Sequence, residues 1–174
     1  MKVLSVSYHQ PSHIVEWGTH MGKSARIFYE TARHFRMGTE IHSIDLPDDV
    51  DHVEHPHQKR GHLVRGIKDV RLYQGDGVTT ALGIWSKVKG TVTPLFFLDG
   101  DHEFTAVLRE LKTIHENIKG ASMLVHDTFY QSAESGYNIG PYLAIQEFLK
   151  SNPSTYRRLD TKLGLPGMTF LYQR

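Results

Sequence analysis

Two rhythms of apolar and polar positions run along this chain, and together they lay out an alternation of strands and helices. HIVEWGTH reads as a short buried strand that turns at Gly18. Ser24 then opens a helical stretch, SARIFYETARHF, whose Ala25, Phe28, Ala32 and Phe35 recur at spacings of three and four, with Gly38 as its stop. EIHSIDL is a second strand ending in Asp45, and the hydrophilic stretch after it, PDDVDHVEHPHQKRGH, reads as a surface loop. VRLYQGDG is a third strand, ending in Gly75 and Asp76, and TTALGIWSKV carries a weaker helical pattern.

PLFFLDGDH is a continuous apolar run that breaks sharply into acidic residues, as expected of a central strand buried on both faces. Phe104, Val107, Leu111, Ile114 and Ile118 then mark an amphipathic crossover helix that Gly120 ends. ASMLVHDT is another buried strand, GPYLAIQEFLKS a helix with Pro141 in its first turn, and TYRRLDT and MTFLYQR two strands of an antiparallel hairpin turning at Leu165, Pro166 and Gly167. Alternating strands and helices imply a mostly parallel sheet with helices on both faces, and ligands on such sheets bind beyond the carboxyl ends of the strands. Those ends carry Glu16 to Gly22, Asp45, Asp76, Asp99 to His102, and His126 with Asp127.

The 174 residues suit a single domain, spanning 1–174, with no repeat or linker-like stretch. A formal net charge of +1 gives no reason to expect nucleic acid or membrane as a partner, and a small molecule is the expected one. The absence of cysteine excludes disulfides, thiolate metal sites and a cysteine nucleophile. The N-terminus lacks a signal-peptide core and no apolar run spans a bilayer, so the expected compartment is the cytoplasm.

Three groups of residues can carry chemistry. In Glu16-Trp17-Gly18-Thr19-His20-Met21-Gly22-Lys23-Ser24, two glycines let the backbone approach a ligand while the following helix presents free amides. The loop has neither the GxGxxG nor the GxxxxGK[ST] pattern, which counts against nicotinamide cofactors and nucleoside triphosphates. Asp45, at the end of the second strand, reads alone as a helix cap or turn aspartate, and beside the glycine loop as the acceptor of ribose hydroxyls. Asp99-Gly100-Asp101-His102 and His126-Asp127 gather acid and imidazole at neighbouring strand ends. Asp99 and Asp127, with His126 or Asp101, are reasonable ligands for magnesium or another divalent cation, and His102 for a proton acceptor; strand and helix capping is the alternative. His52, His55, His57 and His62 crowd the polar loop, where solvated residues, an adventitious metal or a substrate lid are the readings. Trp17, Trp85, Tyr130 and Tyr137 read as packing residues.

IVEWGTHMGKSA, HSIDL, YQGDG, FFLDGDHEFTAVLREL, MLVHDT and GPYLAIQEFL resemble, in order and spacing, class I S-adenosylmethionine-dependent methyltransferases, over most of the chain. DGDH, HDT and the C-terminal tail resemble more narrowly the cephalosporin hydroxylase and rhamnosyl O-methyltransferase family. The resemblance implies an α/β fold, the Rossmann-like class I methyltransferase fold, a mostly parallel twisted sheet closed by a C-terminal antiparallel hairpin. It implies Glu16, Gly18 and Gly22 around the methionine part of S-adenosylmethionine, Asp45 on its ribose and Asp76 near its adenine, with Thr19, Ser24 and Gly75 also among the cofactor-binding residues. It further implies Asp99 and Asp127 as magnesium ligands, beside which the residues themselves offer His126 as a third, and His102 as the base, for divalent-metal-assisted O-methyl transfer to a small hydroxylated acceptor, sugar or natural-product-like, in a possible homo-oligomer. Two departures stand out: His126-Asp127 replaces the relatives' Glu-Asp, and no helix is expected ahead of the first strand. A cofactor-binding module without catalysis, or a metal-dependent oxygenase or hydrolase, are the competing functions for the same scaffold.

Overall fold

The computed structural model describes residues 1–50, 59–88, 92–162 and 164–173. Seven strands form one sheet: β1 (His13–Trp17), β2 (Glu40–Asp45), β3 (Val70–Gln74), β4 (Pro94–Leu98), β5 (Ser122–His126), β6 (Arg157–Asp160) and β7 (Met168–Tyr172). Their order is β3-β2-β1-β4-β5-β7-β6. The first five run parallel, and β7 lies antiparallel to both β5 and β6. All five side chains of β4 are buried, which is why PLFFL shows no alternation: the strand lies mid-sheet with helices on both faces.

The two faces bury separate apolar layers. One holds Ile14, Phe28, Leu95, Phe97 and Phe170 beneath α1 (Lys2–His9) and α2 (Lys23–His34). The other holds Val15, Trp17, Phe96, Leu111 and Phe148 beneath α3 (Gly77–Trp85), α4 (Phe104–Asn117) and α5 (Gly140–Ser151). Period-3.6 spacing put Ala25, Phe28 and Ala32 on the inner face of α2, where the fully buried Phe28 side chain contributes about 1.5–3 kcal/mol. Phe35 departs from the expected stripe: it caps the helix and is 48% exposed. Gly38 is not the stop either, because Arg36 takes the left-handed conformation (φ 56°) that ends the helix.

The N-terminal residues also depart from expectation. Lys2–His9 forms α1, a two-turn helix that closes on Gln10 and packs Val6 into the α2 layer. The sequence hid this because Val3 and Leu4 remain exposed and the helix carries only Ser5 and Val6 inside. In the polar stretch after β2, residues 62–64 form a short 3-10 turn that buries Val64, while His52, His55 and His57 lie outside the described residues. Among the described residues no helix is long and apolar enough to cross a membrane.

One buried carboxyl is out of place in this core. Glu110 of α4 is 7% exposed, and its Oε2 has no hydrogen-bond partner among the described residues. Burial, with Asp101 and Asp76 nearby, raises its pKa from 4.5 to about 8 against the opposing pull of Arg109. A carboxyl whose folded pKa lies above its unfolded one favours folding fully below the unfolded value, and that advantage is lost as pH rises to the folded value. The protein therefore loses stability between about pH 4.5 and 8 through this group. Glu110→Gln is expected to remove that loss, leaving a gain on the order of 1–3 kcal/mol at pH 8 and none at pH 4 in urea titrations.

Candidate functional site

The sheet order reverses between β1 and β4, so the loops leaving these neighbouring strands diverge and open a crevice. Gly18 lines it at the closest point. Its φ is +83°, and a Cβ there would lie 2.1 Å from the Asp99 carbonyl oxygen, so the two loops touch backbone to backbone. Gly22 (φ 85°) then starts α2 with no side-chain cap, leaving the amides of the first turn open at the rim.

Beneath this loop lies a buried polar chain. Thr19 Oγ1 is 2.7 Å from Ser43 Oγ, and the Ser43 hydroxyl donates to Glu16 Oε1 at 2.5 Å. Since Ser43 spends its proton on Glu16, Thr19 is the donor to Ser43. Glu16 is fully buried and its Oε2 has no hydrogen-bond partner among the described residues. Burial pushes its pKa up to about 7, opposed by the Ser43 and Ser24 hydroxyls. Lys2 of α1 sends its ammonium to 4.5 Å from the Phe97 ring centre, where Asp99 and Glu16 favour its charge against burial. Lys2 was invisible to sequence reading because α1 itself was.

Asp45 organises the loop. Its Oδ2 accepts from the His20 amide at 2.8 Å and faces Arg60 Nε at 3.4 Å, while Oδ1 accepts from the Leu46 amide. A carboxylate has about four acceptor sites, so room remains for a ribose hydroxyl. Gly75 donates its amide to the Asp45 carbonyl at 2.9 Å, which ties the ends of β2 and β3 together. Asp76 is the N-cap of α3: its Oδ1 accepts from Thr79 N at 2.8 Å, Thr79 Oγ1 at 2.7 Å and Arg109 Nη2 at 3.2 Å. Those bonds, the Thr79 amide foremost, hold its pKa below the usual carboxylate range. The open amides of α2, the unpartnered Glu16 oxygen and the close-approaching Gly18 fit a ligand with a carboxylate and an ammonium, as the methionine part of S-adenosylmethionine has.

Asp99, His102, His126 and Asp127 do converge. Asp127 Oδ2 lies 2.5 Å from His102 Nδ1, and His126 Nδ1 lies 2.9 Å from Asp99 Oδ1 and 3.2 Å from Asp127 Oδ1. The His126 contacts are ion-pair approaches without hydrogen-bond alignment. Burial works to lower the His126 pKa, but Asp127 and Asp99 outweigh it and raise it to about 9. Asp127 is held below the usual carboxylate range, the two imidazoles overriding its own burial. His102 is raised, chiefly by its bond to Asp127. The His126 ring thus stands between the two carboxylates that magnesium would need. As arranged, this donor set does not fit a hard divalent cation, which prefers carboxylate and water oxygens. Among the described residues, the acid and imidazole groups whose ligand atoms gather within 4.8 Å are His13, Glu40 and His42, not these.

Tyr137 belongs to the cluster. Its hydroxyl donates to Asp127 Oδ1 at 3.2 Å and also lies 3.3 Å from the Pro166 carbonyl, so the C-terminal hairpin turn reaches the rim. Burial and the Asp127 charge push the phenol up to about 12. Sequence spacing gave only its nearness to the β5 end. Beyond Asp127, Thr128 opens a cavity of about 560 Å³ lined also by Tyr130, Tyr142, Arg158 and Lys162.

A family model for a methyltransferase domain matches residues 15–128. No curated protein compared with the chain matches it. A SAH-bound methyltransferase from Podospora anserina superposes with a TM-score of 0.67 at 17% identity, over 99% of this chain and 76% of that one. An O-methyltransferase from Bacillus cereus in complex with SAH gives 0.69 at 16% identity, over 99% and 79%. A TDP-rhamnose 3'-O-methyltransferase of calicheamicin biosynthesis gives 0.62 at 17% identity, over 98% and 74%. At these identities the likeness establishes a common fold.

Proposed function

The chain belongs to the methyltransferase-domain family, and from that premise we propose that it transfers a methyl group from S-adenosylmethionine to a hydroxyl oxygen of a small, sugar-like acceptor. The observation that carries this reading is the contact of Gly18 with Asp99, which sets an uncapped helix terminus and a histidine base on opposite lips of one crevice. Likeness to the TDP-rhamnose methyltransferase, and an adjoining cavity of about 560 Å³ rimmed by tyrosines and cations, support the acceptor class.

S-adenosylmethionine supplies the methyl group: the acceptor oxygen forms the new C–O bond as the C–S bond breaks, and the sulfur keeps the electron pair. This chain's part is to position and to move one proton. The amides at the start of α2 receive the methionine carboxylate, Gly18 and Gly22 let it approach, and Asp45 accepts from the ribose. His102 takes the acceptor proton at Nε2, because Asp127 holds the ring by Nδ1 and so fixes the proton there. Asp127 and Asp99 then stabilise the imidazolium. Tyr137 holds Asp127 in place from the other side. His126 stands against Asp99 on the other side of the cluster.

Isothermal titration with S-adenosylmethionine and SAH tests the reading. Saturable binding is expected, equal with and without magnesium, and weakened about tenfold or more in Asp45→Asn. No binding of either compound overturns it. Binding that needs magnesium would restore the metal to the Asp99–Asp127 cluster.

A further inference from the structure

A second constellation lies at the other end of the sheet, where β1 and β2 begin. Parallel register pairs His13 with Glu40, and two residues on Val15 pairs with His42, so all three side chains share the face covered by α3. One ligand atom from each of these three residues lies within 4.8 Å of the others. Tetrahedral zinc ligands at about 2.0–2.1 Å from the ion stand roughly 3.4 Å apart, so rotations of about 1 Å complete such a site.

His42 gives the independent observation. Its side chain is 3% exposed, and Nε2 has no hydrogen-bond partner among the described residues. That nitrogen faces Glu40 Oε2 at 3.9 Å. Leaving a buried imidazole nitrogen unpaired costs about 1–3 kcal/mol, and nothing in the methyl-transfer geometry recovers it. The other nitrogen is engaged: His42 Nδ1 lies 3.0 Å from the Tyr73 hydroxyl, and His13 Nδ1 lies 3.1 Å from Ser12 Oγ. Both rings are thus anchored through Nδ1, the arrangement in which outer-shell partners fix the orientation of metal-ligating histidines.

We infer that His13, Glu40 and His42 form a site for a divalent transition-metal ion of the zinc class, separate from the methyl-transfer rim. Two imidazoles and one carboxylate suit zinc, nickel or cobalt and suit magnesium poorly. Burial, the largest cause for both rings, works against their protonated forms. A cavity of about 400 Å³ lies over the three residues, leaving space for the ion and its water. Two cations border it. Arg71 Nη2 is 2.9 Å from Glu40 Oε2, the oxygen that faces His42, and its 58% exposed side chain has solvent to move into when an ion takes its place. Lys87 lines the outer wall.

Equilibrium titration of the untagged full chain with zinc chloride, and with cobalt chloride read by visible absorption, tests the site. One equivalent is expected to bind, with an upward shift in melting temperature and cobalt bands of a nitrogen- and oxygen-ligated ion. Affinity is expected to fall tenfold or more in His13→Gln, a half-exposed position that folding tolerates, and about tenfold in Tyr73→Phe. His42→Gln, checked for folding by circular dichroism, is expected to abolish the cobalt bands. A His52→Gln/His55→Gln/His57→Gln variant and His126→Gln are expected to bind as the wild type does. No saturable binding, or binding unchanged in His13→Gln and lost in the loop or His126 variants, overturns the assignment.

Discussion

Gly18→Ala is expected to destabilise the protein by roughly 3 kcal/mol or more and to abolish binding of S-adenosylmethionine, measured by urea unfolding and titration. Two costs combine. The φ of +83° is one that a Cβ opposes, and the Cβ itself would sit 2.1 Å from the Asp99 carbonyl oxygen. Backbone stands on both sides of that contact, so no rotamer change relieves it; β1 and β4 would have to part, and with them the two lips of the crevice. Gly38→Ala is the matching control. Its Cβ meets nothing within 4 Å and its φ is not positive, so it is expected to be neutral or stabilising by about 0.4–1 kcal/mol. If the two variants unfold at the same urea concentration, the crevice does not depend on the Gly18 approach.

How far the sequence foretold this arrangement depends on what each residue leans on. β4 and α4 were legible because burial on both faces and period-3.6 spacing are local signals, and Phe96, Phe97, Leu111 and Ile114 obey them in place. The rim was legible for a similar reason: in a parallel sheet every strand end faces the same way, so Asp99, His126 and Asp127 had to meet near the β4 and β5 ends. Their mutual pairing was not legible. Whether His126 bridges two carboxylates or joins them around a metal turns on angstrom distances between side chains, which residue order does not encode. α1 was missed because a helix with Val3 and Leu4 exposed and Val6 as its one buried apolar residue shows too little periodicity. Tyr137 was missed because its partner, Asp127, lies across a loop that only the hairpin turn at Pro166 closes. Likewise His13 and His42 stand 29 positions apart and meet only through the β1–β2 register.

His102→Gln is expected to lower kcat by roughly 10²–10⁴-fold while leaving the affinity for S-adenosylmethionine unchanged, because the role proposed for His102 is at the acceptor proton and not in the glycine loop. The pH profile separates this role from a structural one. Asp127 raises the His102 pKa above 6.5, and a base works only when unprotonated, so wild-type kcat is expected to climb as pH rises through that raised value and then level off. Asp127→Asn removes the charge that raises it, and asparagine tolerates the φ of +54° found at this position. The acid limb is then expected to move to lower pH while the plateau falls, since the asparagine can no longer stabilise the imidazolium formed during transfer. A variant damaged only in its folding would lower the plateau and leave the limb where it was. An unmoved limb in Asp127→Asn, or a His102→Gln enzyme with full activity, would take the proton transfer away from this pair and leave positioning at the crevice as the source of the rate.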